Sequence, residues 1–132
     1  MGDATSGVGA GEIFHGPAPT NEAVFVHRDF HPGNVLWHRR HVSGVVDWEA
    51  ASIGLGSVDV AHCRVNLLYD DLSRADLFRH EWEVVSGQSF DPWADIITVI
   101  GLLDGYRKHR PAERTRNDIE QLLDRALTDI GA

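Results

Sequence analysis

The chain has 132 residues, 42% of them hydrophobic, enough for one packed domain or a piece of a larger one and too many for wholesale disorder. Twelve basic against 20 acidic residues give a net charge of −8, which argues against nucleic acid as main partner and suits a cationic small substrate, although solubility alone explains it. A single cysteine, Cys63, excludes an internal disulfide, no apolar run reaches bilayer length and no signal-peptide pattern opens the chain, so a cytoplasmic protein without membrane contact is expected.

Residues 1–23 are rich in Gly, Ala, Thr and Pro without a sustained period, and are expected to form a mobile leader. Gly7-Val8-Gly9-Ala10-Gly11 lacks the preceding strand and following helix that a phosphate-cradling loop needs. A second unit, 24–132, begins with a short apolar strand at Val24–Val26. His27–Asn34 is polar, with Pro32-Gly33 marking a turn. Val35–His38 and Gly44–Val46 read as two strands of a small hairpin joined by a loop over Arg39–Ser43, with His38 and His41 at its exposed tip. Asp47–Gly56 reads as an irregular loop.

Four helices follow. Ser57 is expected to cap the first, with Val58, Ala61, Val65 and Leu68 on one face and Cys63 in the core. Ser73 is expected to cap the second, which aligns Ala75, Phe78, Trp82 and Val85 and stops at Gly87. Asp91-Pro92 opens a third that carries Trp93, Ile96, Ile97, Ile100 and Leu103, with Gly101 and Gly105 allowing close helix packing. Thr115 with Asp118 resembles a capping box, and the stripe Ile119, Leu122, Leu123, Ala126, Leu127, Ile130 follows it. The fold class is therefore α+β: a small β-hairpin layer carrying polar loops, packed on about four helices.

The chemistry concentrates in His27-Arg28-Asp29-Phe30-His31-Pro32-Gly33-Asn34 and in Asp47-Trp48-Glu49. Asn34 starts one hairpin strand and Asp47 follows the other, and antiparallel strands lie about 5 Å apart, so the two oxygen side chains are brought together. An amide carbonyl and a carboxylate suit Mg²⁺, which prefers oxygen and keeps waters and substrate phosphates as further ligands. Asp29 is then free to act on a substrate hydroxyl. The alternation His27, Asp29, His31 also admits a zinc site, and hence a zinc-dependent hydrolase, although that leaves Pro32-Gly33-Asn34 unexplained.

The segment His27-Arg28-Asp29 with four residues before Asn34 matches the catalytic-loop pattern of protein kinases, with Asp47 where their metal-binding Asp falls. His-x-Asp-Phe-His-Pro-Gly-Asn followed by Asp-Trp-Glu more closely resembles the aminoglycoside phosphotransferase and choline kinase-like branch. The run Gly54–Ala61 is similar to that family's Gly-Asp-Pro-x-x-Asp-Leu-Ala stretch. The resemblance implies ATP-dependent, Mg²⁺-assisted phosphoryl transfer to a hydroxyl of a small molecule. It implies that Asp29 orients the attacking hydroxyl and that Asn34 and Asp47 hold Mg²⁺ against the nucleotide phosphates. His27 then braces the loop, His31 packs within it, Asp59 accepts hydrogen bonds from loop backbone, and Glu49 reaches the metal through water or binds neighbouring backbone. Trp48 is expected as a packing anchor beneath the metal loop.

The same resemblance exposes a gap. Such enzymes clamp the phosphates with a lysine on a separate β-rich lobe, and the only lysine here is Lys108. The chain accordingly reads as the C-terminal lobe alone, truncated and inactive by itself. Apolar surface left uncovered by a missing lobe is expected to favour homo-oligomers. The rival reading is a non-catalytic binding or interaction module. The acceptor pocket falls in Asp70–Arg110, where Asp70, Asp71, Asp91, Asp95 and Asp104 are expected on a solvated face.

Overall fold

A computed structural model describes residues 23–108 and 110–131. The expected leader, with its glycine run, lies outside the described residues but for Ala23. The elements in order are β1 (Ala23–Val26), a single 3-10 turn (Pro32–Asn34), β2 (Val35–His38), β3 (His41–Val45), β4 (Ser52–Leu55), α1 (Gly56–Leu67), α2 (Leu72–Ser86), α3 (Trp93–Lys108) and α4 (Glu113–Asp129). The described residues are thus α+β, with four helices and two small antiparallel sheets, β1–β4 and β2–β3.

The β layer departs from expectation in two places. The β2–β3 connection is only Arg39-Arg40, both with positive φ (46° and 68°), and β3 starts at His41 rather than Gly44. A two-residue connection of that conformation carries the right-handed strand twist, and a bulge between Leu36 and Trp37 takes up the extra residue. The stretch expected to be irregular contains β4, paired with β1 from Ala23↔Leu55 to Val26↔Ser52. Four residues including Gly54 carry little intrinsic strand preference, so pairing with β1 makes this strand.

Helix α1 is the hub, packing on α2, α3 and both strands of the first sheet, while α4 packs on α3. One core cluster joins Val65, Leu68, Ala75, Val99, Ile119 and Leu122, and a second joins Val60, Ala61, Phe90 and Ala94. Burying each large aliphatic side chain contributes about 1.5–3 kcal/mol. Cys63 is buried as expected, and burial pushes its thiol up to about 11.

Several expected caps are displaced. Ser57 does not cap α1: its Oγ accepts a hydrogen bond from Asp91 N at 3.0 Å, tying the starts of α1 and α3 together. Asp71, not Ser73, caps α2 by accepting from Ser73 N. Helix α4 begins after Ala112, which leaves Thr115 buried inside its first turn rather than capping it. Asp91 does accept from Trp93 N, and Gly87 ends α2 in the left-handed conformation. On α3 the buried face is Ala94, Asp95, Ile96 and Val99, with Ile100 and Leu103 exposed. Among the described residues nothing lies within 4 Å of where a side chain at Gly101 or Gly105 would stand, so neither glycine serves close packing against them.

Candidate active site

The site is assembled by three fixed points around the His27–Asn34 loop. The first is Asp59 in the first turn of α1, whose carboxylate accepts from His27 N and Arg28 N, both at 2.7 Å. Two short charge-assisted bonds hold Arg28 in a left-handed conformation, φ 69°, which is unfavourable for a residue with a side chain. Arg28 also donates from Nε to Ser52 Oγ, anchoring the loop to β4.

The second is His27, buried, with both ring nitrogens engaged. Nε2 lies 2.7 Å from Val46 O and Nδ1 accepts from Asp29 N, so the proton resides on Nε2. The ring is a brace between the loop and the segment leading to Asp47. Trp48 covers it at a 4.5 Å ring separation and donates from Nε1 to Val45 O. The indole is nonetheless half exposed, and so is an edge anchor rather than a buried one.

The third is the turn His31–Asn34. His31 Nδ1 accepts from Gly33 N, and a Cβ at Gly33 would lie 2.8 Å from His31 Cε1, so a side chain there would push the His31 ring out of this bond. Asn34 is buried; its Nδ2 donates to Asp29 O (2.8 Å) and to Asp29 Oδ2 (3.3 Å), leaving its carbonyl oxygen as the end available to a ligand. Its backbone O accepts from Val46 N at 2.9 Å, so Asp47 follows immediately on a residue bonded to Asn34. Asp47 is exposed, with φ 66°, a conformation that Asp tolerates better than most residues. Asp29 and Asn34 are therefore in direct contact, Asp47 is bound to them through backbone, and Glu49 is exposed on the turn beyond Trp48.

Two sequence-derived alternatives change on this geometry. With both its ring nitrogens spent on protein atoms, His27 has no lone pair for zinc, and among the described residues no group of three His, Cys, Asp or Glu side chains is gathered for a metal ion. The acidic residues of the helices are not a common solvated face either. Asp71 and Asp91 cap helices, Asp70 pairs with Arg74, and Asp95 is buried against Arg64 at 3.2 Å. The side chain of Asp104 lies outside the described residues.

A family model for the phosphotransferase enzyme family (APH) matches residues 13–111, three quarters of the chain. The chain belongs to the phosphotransferase enzyme family. The match takes in the His27–Asn34 loop, Asp47 and Asp59, so the family and the geometry coincide on one region. No curated protein matches this phosphotransferase-family chain.

One residue at the site escaped the sequence reading. His62 of α1 places Nε2 3.0 Å from Asp29 Oδ1. Burial pushes its pKa below the usual value, against the pull of the Asp29 carboxylate. Helical spacing held the signal: His62 is three residues after Asp59, hence on the same face toward the loop.

Proposed function

We propose that the chain carries the catalytic and metal-binding half of an ATP-dependent, Mg²⁺-assisted phosphotransferase acting on a hydroxyl of a small molecule, in a kinase-like C-terminal lobe. The observation that carries this reading is the contact of Asn34 with Asp29, joined by backbone to Asp47. Asp29, with its side chain 42% exposed, accepts the proton of the attacking hydroxyl. Asn34 is turned by its bonds to Asp29 so that its carbonyl oxygen, with the Asp47 carboxylate, fits a small hard cation completed by waters and phosphates. Mg²⁺ bound there supplies charge neutralisation on the phosphates. His27 and Asp59 keep the loop backbone in place, which matters because such a reaction depends on positioning more than on covalent help.

The acceptor is a small alcohol, and the negative net charge favours a cationic one. Family membership supports phosphoryl transfer in general and leaves the acceptor to experiment. The second reading is a kinase-like interaction module without turnover, which the exposed apolar pairs on the β strands favour.

Calorimetric titration with Mg-ATP, followed by a screen of hydroxyl acceptors, separates the two. These 132 residues, whose one lysine is Lys108, are expected to bind Mg-ATP weakly or not at all, and micromolar affinity would overturn that expectation. Wherever turnover is found, Asp29→Asn is expected to abolish it and leave nucleotide affinity within about twofold, as for removal of a group acting in the transition state. Unchanged turnover in Asp29→Asn removes Asp29 from the mechanism.

A further inference from the structure

The carboxylate of Asp29 is held from two sides. Asn34 Nδ2 donates to Oδ2 at 3.3 Å, and His62 approaches Oδ1 at 3.0 Å. His31 is a more distant neighbour, with Nε2 3.9 Å from the same Oδ1 and its ring 6.1 Å from that of His62. Asp59, on α1, is the other charge acting on His62. Because burial keeps His62 neutral near pH 7, a bond to an ionised carboxylate requires the proton on Nε2, with His62 as donor. Two neutral donors restrict rotation of a carboxylate without cancelling its charge, and each carboxylate oxygen retains a lone pair for an incoming hydroxyl.

Placement in the chain strengthens the point. Asp59 and His62 are one turn apart on α1, and the helix itself is anchored through Ser57 and Asp91 and packed against α2 and α3. Asp59 fixes the backbone at the beginning of the loop. His62 fixes the reactive side chain two residues later. A group carried by a core helix locates its partner more accurately than one on the loop itself.

We propose that His62 is a positioning residue for Asp29, donating Nε2–H to Oδ1 and so aiming the carboxylate at the acceptor hydroxyl. This rests on the assignment of Asp29 as the group that receives the hydroxyl proton.

The test compares wild type, His62→Ala, His62→Gln and Asp29→Asn in the whole chain. Glutamine offers a neutral N–H at about the reach of histidine Nε2 and cannot titrate. Long-range nitrogen-15 spectra of labelled histidine are expected to show His62 protonated on Nε2, with its signals displaced in Asp29→Asn. The carbon-13 resonance of Asp29 Cγ is expected to move in His62→Ala and to return toward wild type in His62→Gln. In Mg-ATP turnover with the best acceptor, or with water, kcat is expected to fall about 10- to 100-fold in His62→Ala at unchanged KM for ATP, and to recover in His62→Gln. Full turnover in His62→Ala, with Asp29→Asn inactive, overturns the role of His62 and leaves that of Asp29 standing. Turnover retained in Asp29→Asn instead overturns the underlying assignment. Should no acceptor be turned over, the spectra decide: an Asp29 Cγ resonance indifferent to His62→Ala overturns the proposal, and a shift restored by glutamine supports it.

Discussion

Arg64 and Asp95 meet at 3.2 Å between α1 and α3, both almost wholly removed from water. They line a cleft of about 300 Å³ with Asp76, Arg79, Glu83 and Arg125. Arg64 and Arg79 both lie over the Phe90 ring, at 4.9 and 4.8 Å. Burial outweighs the attraction of Arg64, and the Asp95 carboxyl is pushed up to about 7. In the unfolded chain an Asp ionises near 3.9, so between about pH 4 and 7 the folded protein holds one more proton than the unfolded. Stability is therefore lost as pH rises through that window, by up to about 1.4 kcal/mol per pH unit, and the loss ends above it. His62 acts oppositely: with its pKa lowered in the folded state, stability is lost as pH falls below its usual 6.5. Comparison with Asp95→Asn cancels the His62 contribution, since both proteins carry it. The stability of wild type minus that of Asp95→Asn, from urea unfolding at stepped pH, is expected to decline from about pH 4 to 7 and then level. Parallel curves would show that Asp95 titrates normally.

At the scale of elements, the hairpin tip is where the sequence and the backbone disagree. Arg39 and Arg40 occupy two positions of positive φ, which asparagine and glycine adopt far more readily. Replacing Arg39 with Asn and Arg40 with Gly should stabilise the chain by about 1 kcal/mol and raise Tm by several degrees, measured by thermal unfolding. An unchanged or lower Tm would mean that the two arginines make compensating contacts at the tip. The same hairpin explains what could be read in advance and what could not. Short apolar runs on either side of the polar loop, with the Pro32-Gly33 turn, located β1 and β2, and the expected hairpin brings Asn34 toward the segment of Asp47, where Val46 N donates to Asn34 O. Strand β4 was invisible since the strand it pairs with among the described residues, β1, is far away in sequence. Ser57 and Ser73 looked like caps on composition, but Ser57 spends its hydroxyl on Asp91 N of a distant segment, and Asp71, two residues before Ser73, caps α2 in its place. In the site, Asp29, Asn34 and Asp59 were legible as motif letters, whereas His62 belongs to no motif and shows itself only once α1 is docked under the loop.

Over the whole molecule, apolar side chains remain in water on the β side. Phe25 and Ile53 are cross-strand partners at 65% and 67% exposure, and Phe25 also stacks on Trp48 at 5.7 Å. Trp37 and Val42 form a second exposed cross-strand pair, and Val84 and Val85 project from α2. Single exposed apolar residues are ordinary, but paired ones on adjoining strands make patches that water wets poorly. The helices bury two core clusters and leave only scattered apolar side chains in water, whereas the sheets carry paired ones, so association of the chain is expected to run mainly through the sheets. The chain is expected to bind a hydrophobic dye and to self-associate as its concentration rises, with sedimentation velocity reporting the shift. Trp37→Thr combined with Val42→Thr keeps strand-forming residues in β2 and β3 while removing one patch, and should weaken both signals without altering thermal unfolding by more than a few degrees. Equal association in that double variant would move the contact to the Phe25–Ile53 patch. A wild-type chain that stays monomeric at high concentration and binds no dye would show that these rings are adequately hydrated as they stand.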